Sequence, residues 1–144
     1  MAMKLNFNSG GLVSSADERA QYDMPDESAN PFRYKLVDGE VVDGYPGVAD
    51  DEIMPLFNAD NEAYHLEKQK ENIVWQLRQR AASKIQALAW KIERATEQDA
   101  LNGTSTVNAV YAEREAIRVA SNVAQAAINS ATSMEEATTA FKSF

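Results

Sequence analysis

The sequence predicts a mainly α-helical protein: a long antiparallel helical hairpin with a short third helix, preceded by an extended acidic arm and one small β-hairpin. Three observations carry that expectation. Glu62 to Leu101 runs without a glycine or proline, and as one helix would reach roughly 60 Å. Within it Ile73, Leu77, Ala81, Ile85, Leu88, Ile92 and Ala95 recur at steps of three and four, one stripe of a helix. Charge is uneven: of the net −8, residues 1–63 carry −9 and residues 64–144 carry +1. The organisation expected is an arm over 1–32, a hairpin with an apolar plug over 33–57, and helices over 58–144.

In residues 1–32, Leu5, Phe7, Leu12 and Val13 are isolated apolar residues among Asn, Ser and Gly10–Gly11, and an acidic polar run follows. Such a stretch has too little apolar surface of its own to offset roughly 1–2 kcal/mol of backbone ordering per residue. It is expected to be mobile alone, seating those four residues in a neighbour's groove or beside a strand edge. Tyr34 to Val37 and Glu40 to Val42 flank Asp38–Gly39, a pair suited to the positive φ angles of a two-residue hairpin turn. A lone hairpin is marginal in water and must dock on something. Ile53, Met54, Leu56 and Phe57, interrupted by Pro55, form the plug.

Asn58 or Asp60 can cap the first long helix, expected over about 62–101, and Asn102–Gly103 is a stop signal. Thr104 or Ser105 can cap a second helix over about 106–131, and Ser133-Met134-Glu135-Glu136 opens a third over about 134–141. The short turn at Gly103 favours antiparallel neighbours. The expected packing seam is Ile73, Leu77, Ile85, Leu88 and Ile92 against Val110, Ile117, Ala124 and Ile128.

The second helix has more apolar surface than one neighbour can cover. Val110, Ile117, Ala120, Ala124, Ile128 and Ala131 fall on one flank, with Ala112, Ala116, Val119, Val123, Ala126 and Ala127 beside them. Together they span roughly 200° of the circumference. Trp75, Ala82 and Ala89 make a second face on the first helix, with Trp90 nearby. A coiled-coil-like oligomer, or docking on another protein, is therefore expected.

Little chemistry is offered. There is no cysteine for a disulfide, thiolate metal site or nucleophile. His65, the only histidine, has no nucleophile in local reach and reads as a surface or packing residue. The acidic cluster Asp38, Glu40, Asp43, Asp50, Asp51, Glu52 fails the calcium-loop pattern, because Val42 and Val48 fall where oxygen ligands are needed. Gly10–Gly11 lacks the Gly-Lys-Ser/Thr of a phosphate loop. No enzyme, cofactor or metal is expected. An acidic chain repels a phosphate backbone. The basic run Arg78, Arg80, Lys84, Lys91, Arg94 is the case for nucleic acid, yet without aromatic interleaving of the stacking kind it reads as a solvated face or a partner for an acidic arm. No stretch approaches the ~18 apolar residues of a membrane span, so a soluble protein is expected.

Two stretches carry a resemblance. One is Leu36-Val37-Asp38-Gly39-Glu40-Val41-Val42 ahead of a charged linker. The other is Arg80-Ala81-Ala82-Ser83-Lys84-Ile85, then Trp90-Lys91-Ile92-Glu93-Arg94, ending Glu97-Gln98-Asp99-Ala100-Leu101-Asn102-Gly103. In these stretches the sequence resembles short bacteriophage tail proteins of the tail-fibre and tail-fibre-assembly type. The resemblance implies a structural virion component of the tail, made in the host cytoplasm, that bridges or anchors neighbouring proteins, with no catalytic residues. It also leaves open a tail-fibre assembly chaperone, although the alanine-rich helix after Gly103 departs from the assembly-protein pattern. A small nucleic-acid-binding regulator is the alternative from another class. Partner-binding candidates are Leu5, Phe7, Leu12 and Val13 on the arm, with Trp75, Trp90, Arg78, Arg80 and Lys84 on the long helix.

Overall fold

Leu5 is wholly buried, and its position corrects the expected fold class. The computed structural model describes residues 2–144, and 61% of the chain is helical with 14% in strands. Among the described residues two small sheets are present instead of one hairpin, and the segment expected to be an arm is folded into the first of them. The chain divides into two compact units, Met1–His65 and Leu66–Phe144. The division falls neither at 32 nor at 57.

In the first unit, β1 (Lys4–Phe7) pairs antiparallel with β2 (Val13–Asp17) on one side and β3 (Tyr22–Asp23) on the other. The β1–β2 turn is held by Asn8, whose Oδ1 accepts from Gly10 N and Leu12 N, each at 3.0 Å. Gly11 sits at φ 77°, and a Cβ there would lie 2.4 Å from the Leu36 carbonyl oxygen, so only glycine fits. Strands β4 (Tyr34–Val37) and β5 (Glu40–Asp43) pair across Asp38 at φ 51° and Gly39 at φ 80°. That turn matches the twist of a two-residue hairpin. The hairpin docks through a bridge from Leu12 to Lys35 and a 2.9 Å bond from Leu36 N to Gly11 O.

The reason the arm folds is non-local. Leu5, Leu12, Val13 and Met24 share one core with Tyr34, Tyr45, Ile53 and Phe57. Counting apolar residues within 1–32 missed those partners, which lie downstream in sequence and together bury what the segment alone cannot.

The apolar plug is the opening of α1 (Ile53–Gln86), entered through a 3-10 turn at Asp50–Glu52. Pro55 lies in the first turn, where its missing N–H has no intrahelical partner to lose, so it does not break the helix. Helix α1 therefore begins nine residues before Glu62, and neither Asn58 nor Asp60 is its cap. The long helix is also not one rod: α2 (Ala89–Asn102) follows after a bend. At the bend Leu88 N bonds Ile85 O at 3.0 Å, an i→i−3 bond that tightens a single turn where no glycine or proline stands.

In the second unit α2 ends on Gly103 at φ 65°, whose N–H bonds Asp99 O. Helices α3 (Val107–Ser130) and α4 (Met134–Lys142) follow. Ser133 caps α4, its Oγ accepting from Glu136 N, while the Glu136 carboxylate accepts from Thr132 N at 2.9 Å. Ile73, Val74 and Leu77 of α1 pack with Ala124, Ile128, Ala131 and Ala137. Leu88 and Ala95 pack with Val110 at the other end of α3. Contacts that run from late to early α3 as the chain runs from α1 to α2 make α3 antiparallel to both.

Candidate protein-interaction surface

Helix α3 is built with two apolar faces. At ~100° per residue, Val110, Ile117, Ala124 and Ile128 form the inner one; Val110, Ala124 and Ile128 are buried and Ile117 is half-buried. On the opposite side Ala112, Ala116, Val119, Val123 and Ala126 are all exposed. Val119 is 53% and Val123 66% exposed. Charged residues stand off this outer stripe: Glu113 lies 3.4 Å from Lys91 and Glu115 3.7 Å from Arg118. An exposed apolar row along a whole helix is a feature of interfaces.

Two tryptophans add separate exposed anchors. Trp75 on α1 is 61% exposed and Trp90 on α2 is 56% exposed. Trp75 stands among polar neighbours on its helix, Glu71, Asn72, Arg78 and Gln79, all exposed. A large ring in a polar rim is the composition of a binding hot spot.

Of the seam residues named from the sequence, Ile73, Leu77, Leu88, Val110, Ala124 and Ile128 are buried, and Ile85, Ile92 and Ile117 are half-buried. The arm candidates require correction. Leu5, Leu12 and Val13 are core residues, and half-buried Phe7 packs against that core with its ring edge-on to Tyr22 at 5.6 Å. They hold their own unit together and are not presented to a partner. The basic run is divided among contacts within the second unit. Arg80 lies 4.0 Å over the Phe141 ring, and Lys84 Nζ donates to Phe144 O at 2.6 Å and sits over its ring. Lys91 pairs with Glu113, and Arg78 is exposed.

Sequence reasoning missed two polar devices. Lys70, at 6% exposure, donates to Asn129 O, Ala131 O and Glu67 Oε1. Nothing in its spacing marks it, because the carbonyls it serves are about sixty residues away. Asp99 accepts from Thr104 Oγ1, Thr106 Oγ1, Thr106 N and Val107 N, so one carboxylate at the end of α2 caps the start of α3. Desolvation raises its proton affinity, but these four bonds prevail and hold the carboxyl well below the usual range. The signal was the Asp99-to-Thr106 spacing around Gly103.

Three of the first unit's acidic residues, Asp43, Asp50 and Asp60, are paired with cations. Arg33 pairs with Asp43 and Asp50 and donates to the carbonyls of Tyr45 and Val48. Its bonds to Asp43 and then Asp50 raise its proton affinity further. Asp60 accepts from Tyr45 Oη at 2.6 Å and Lys35 Nζ at 3.0 Å, and those bonds lower its pKa. This is a structural clamp. Among the described residues no group of three or more His, Cys, Asp or Glu is placed to hold a metal ion, and no helix is long and apolar enough to cross a membrane. His65 is exposed, edge-on to Tyr64 at 5.4 Å. His65 and Tyr64 also line a recess of about 480 Å³, together with Ser14, Phe32, Phe57 and Asn61.

Comparison with protein-family models, with curated proteins and with solved structures finds no match.

Proposed function

We propose that this chain is a non-enzymatic interaction protein, a bacteriophage tail component that bridges or anchors neighbouring proteins. The outer row of α3, apolar and turned away from its own core, is the observation that carries the interaction role. Trp75 and Trp90 supply two further anchors of the kind that dominate interface energetics. The tail setting rests on the resemblance in Leu36–Val42 and Arg80–Gly103. A nucleic-acid role is less favoured, because Arg80, Lys84 and Lys91 are engaged within the chain and a net charge of −8 opposes a phosphate backbone.

The test is quantitative mass spectrometry of purified particles from the phage whose genome encodes the chain. A fixed copy number per particle is the expected result. Absence from particles, with improved folding of a co-expressed fibre, would replace the virion role with that of an assembly chaperone. A salt-dependent gel shift by the full chain would instead favour the regulator.

A further inference from the structure

We infer that the outer row of α3 docks on the same row of a second copy of this chain, antiparallel, about a two-fold axis that passes between Val119 and Val123. The inference rests on the reading of the protein as an interaction component and names the partner of its main face. Ala112, Ala116, Val119, Val123, Ala126 and Ser130 follow one another at steps of four, three, four, three and four. That is the spacing of a helix-to-helix seam. It is also a palindrome: reversed about residue 121, Val119 lands on Val123, Ala116 on Ala126, and Ala112 on Ser130. A two-fold interface must be self-complementary in this way, with residue i meeting j while j meets i. The bulkier valines meet at the centre and small residues flank them, which lets the two axes approach closely.

Charge selects the direction. An antiparallel copy sets Glu113 and Glu115 against Asn129 and Ala127, so the two copies' Glu113 and Glu115 stay apart. A parallel copy gathers both copies' Glu113 and Glu115, and both positive helix ends, at one place. Lys91, held on Glu113, travels with those first turns toward the far end of the other copy's α3. There a groove of about 450 Å³ is lined by Ala127, Ala131 and Ala140 together with the carboxylates of Glu135 and Glu136, to which Lys91 is opposite in charge. Contact along one helix lies at the low end of specific interfaces, so the dimer depends on concentration and is reinforced where an assembly gathers copies.

The chain contains no cysteine, so engineered thiols report the register directly. The full-length Val119→Cys and Val123→Cys variants, with circular dichroism matching the parent, are mixed in equal amounts and oxidised. The antiparallel register predicts that the mixed 119–123 disulfide exceeds either like-with-like disulfide several-fold. Dominant 119–119 and 123–123 products would overturn the direction. Equally slow statistical cross-linking of all pairs would overturn the docking. Val119→Lys/Val123→Lys supplies an independent measurement by sedimentation. Both sites are exposed, so helix content should be kept while the concentration-dependent rise in mass disappears. A rise that persists unchanged would overturn the proposal. Absence of the chain from phage particles would remove the tail setting and leave these readouts unmoved.

Discussion

Lys70 Nζ lies 2.9 Å from the carbonyl oxygen of Ala131, and 2.8 Å from that of Asn129. The last carbonyls of a helix have no intrahelical partner. Here a cation from α1 meets them where α3 ends and the turn to α4 begins, in surroundings that also bury Ala131 and Ala137. The ammonium complements the negative end of α3 and fixes which turn of α1 faces that end. Replacing Lys70 with Met keeps most of the stem packing but leaves two carbonyls short of a donor. The expected loss is about 2–3 kcal/mol, the range for bonds to a charged donor, read by urea denaturation. Unchanged stability would mean that water caps α3 equally well.

The two sides of the helical unit should respond differently to truncation. Leu88 is buried at the bend between α1 and α2, against Ala95 and Val110. Leu88→Ala should therefore cost about 2–5 kcal/mol and reduce the helical circular dichroism on heating. Trp75→Ala removes an exposed ring and should change stability by no more than about 0.5 kcal/mol, while weakening association. Equal losses from both would show that Trp75 supports the fold.

What was legible in the sequence followed the range of each interaction. Local signals were strong at Asp38–Gly39, Gly103 and Ser133, where a turn or cap is decided by residues a few positions apart. The stripe from Ile73 to Ala95 was readable for the same reason, although periodicity says nothing of the one tightened turn at Leu88 that bends it. Leu5, Leu12 and Val13 were misread because their partners Ile53 and Phe57 lie some forty to fifty residues away. No window of sequence holds both halves of that core. The outer face of α3 was legible as excess apolar surface, since its composition exceeds what one hairpin can cover.

The N-terminal segment now carries a prediction opposite to that for a free arm. Leu5 is fully buried with Val13, Ile53 and Phe57. Leu5→Ala should destabilise the first unit by about 2–5 kcal/mol. Amide exchange across Lys4–Phe7, the central strand of its sheet, should be slow in the isolated protein. Fast exchange there would return the segment to the status of a mobile arm. Deleting residues 1–32 should strip the core from Tyr34, Tyr45 and Phe57 and leave the hairpin without its dock, so a loss of tyrosine near-ultraviolet ellipticity is expected.

Acid should weaken the first unit through Asp60 and Asp43. Asp60 is held low by its bond from Tyr45, then that from Lys35. Asp43 is held low by the Tyr45 N–H and, against some desolvation, by Arg33. A carboxylate whose folded pKa lies below its unfolded value stabilises the fold above the unfolded value, about 3.9 for Asp. That contribution is lost as pH falls through the folded pKa, because the unfolded chain then binds the extra proton. Stability of the first unit should therefore be flat from about pH 7 to 5 and fall progressively below about pH 4. Both aspartates are partly exposed, so each contribution is screened and modest. Asp60→Asn keeps the shape but removes the titration and the charge that pairs with Lys35. It should lower stability at neutral pH and flatten the acid limb of the curve. Unfolding midpoints by circular dichroism from pH 7 to 2.5, for parent and variant, give the comparison, and parallel curves would show that Asp60 does not contribute to the acid sensitivity.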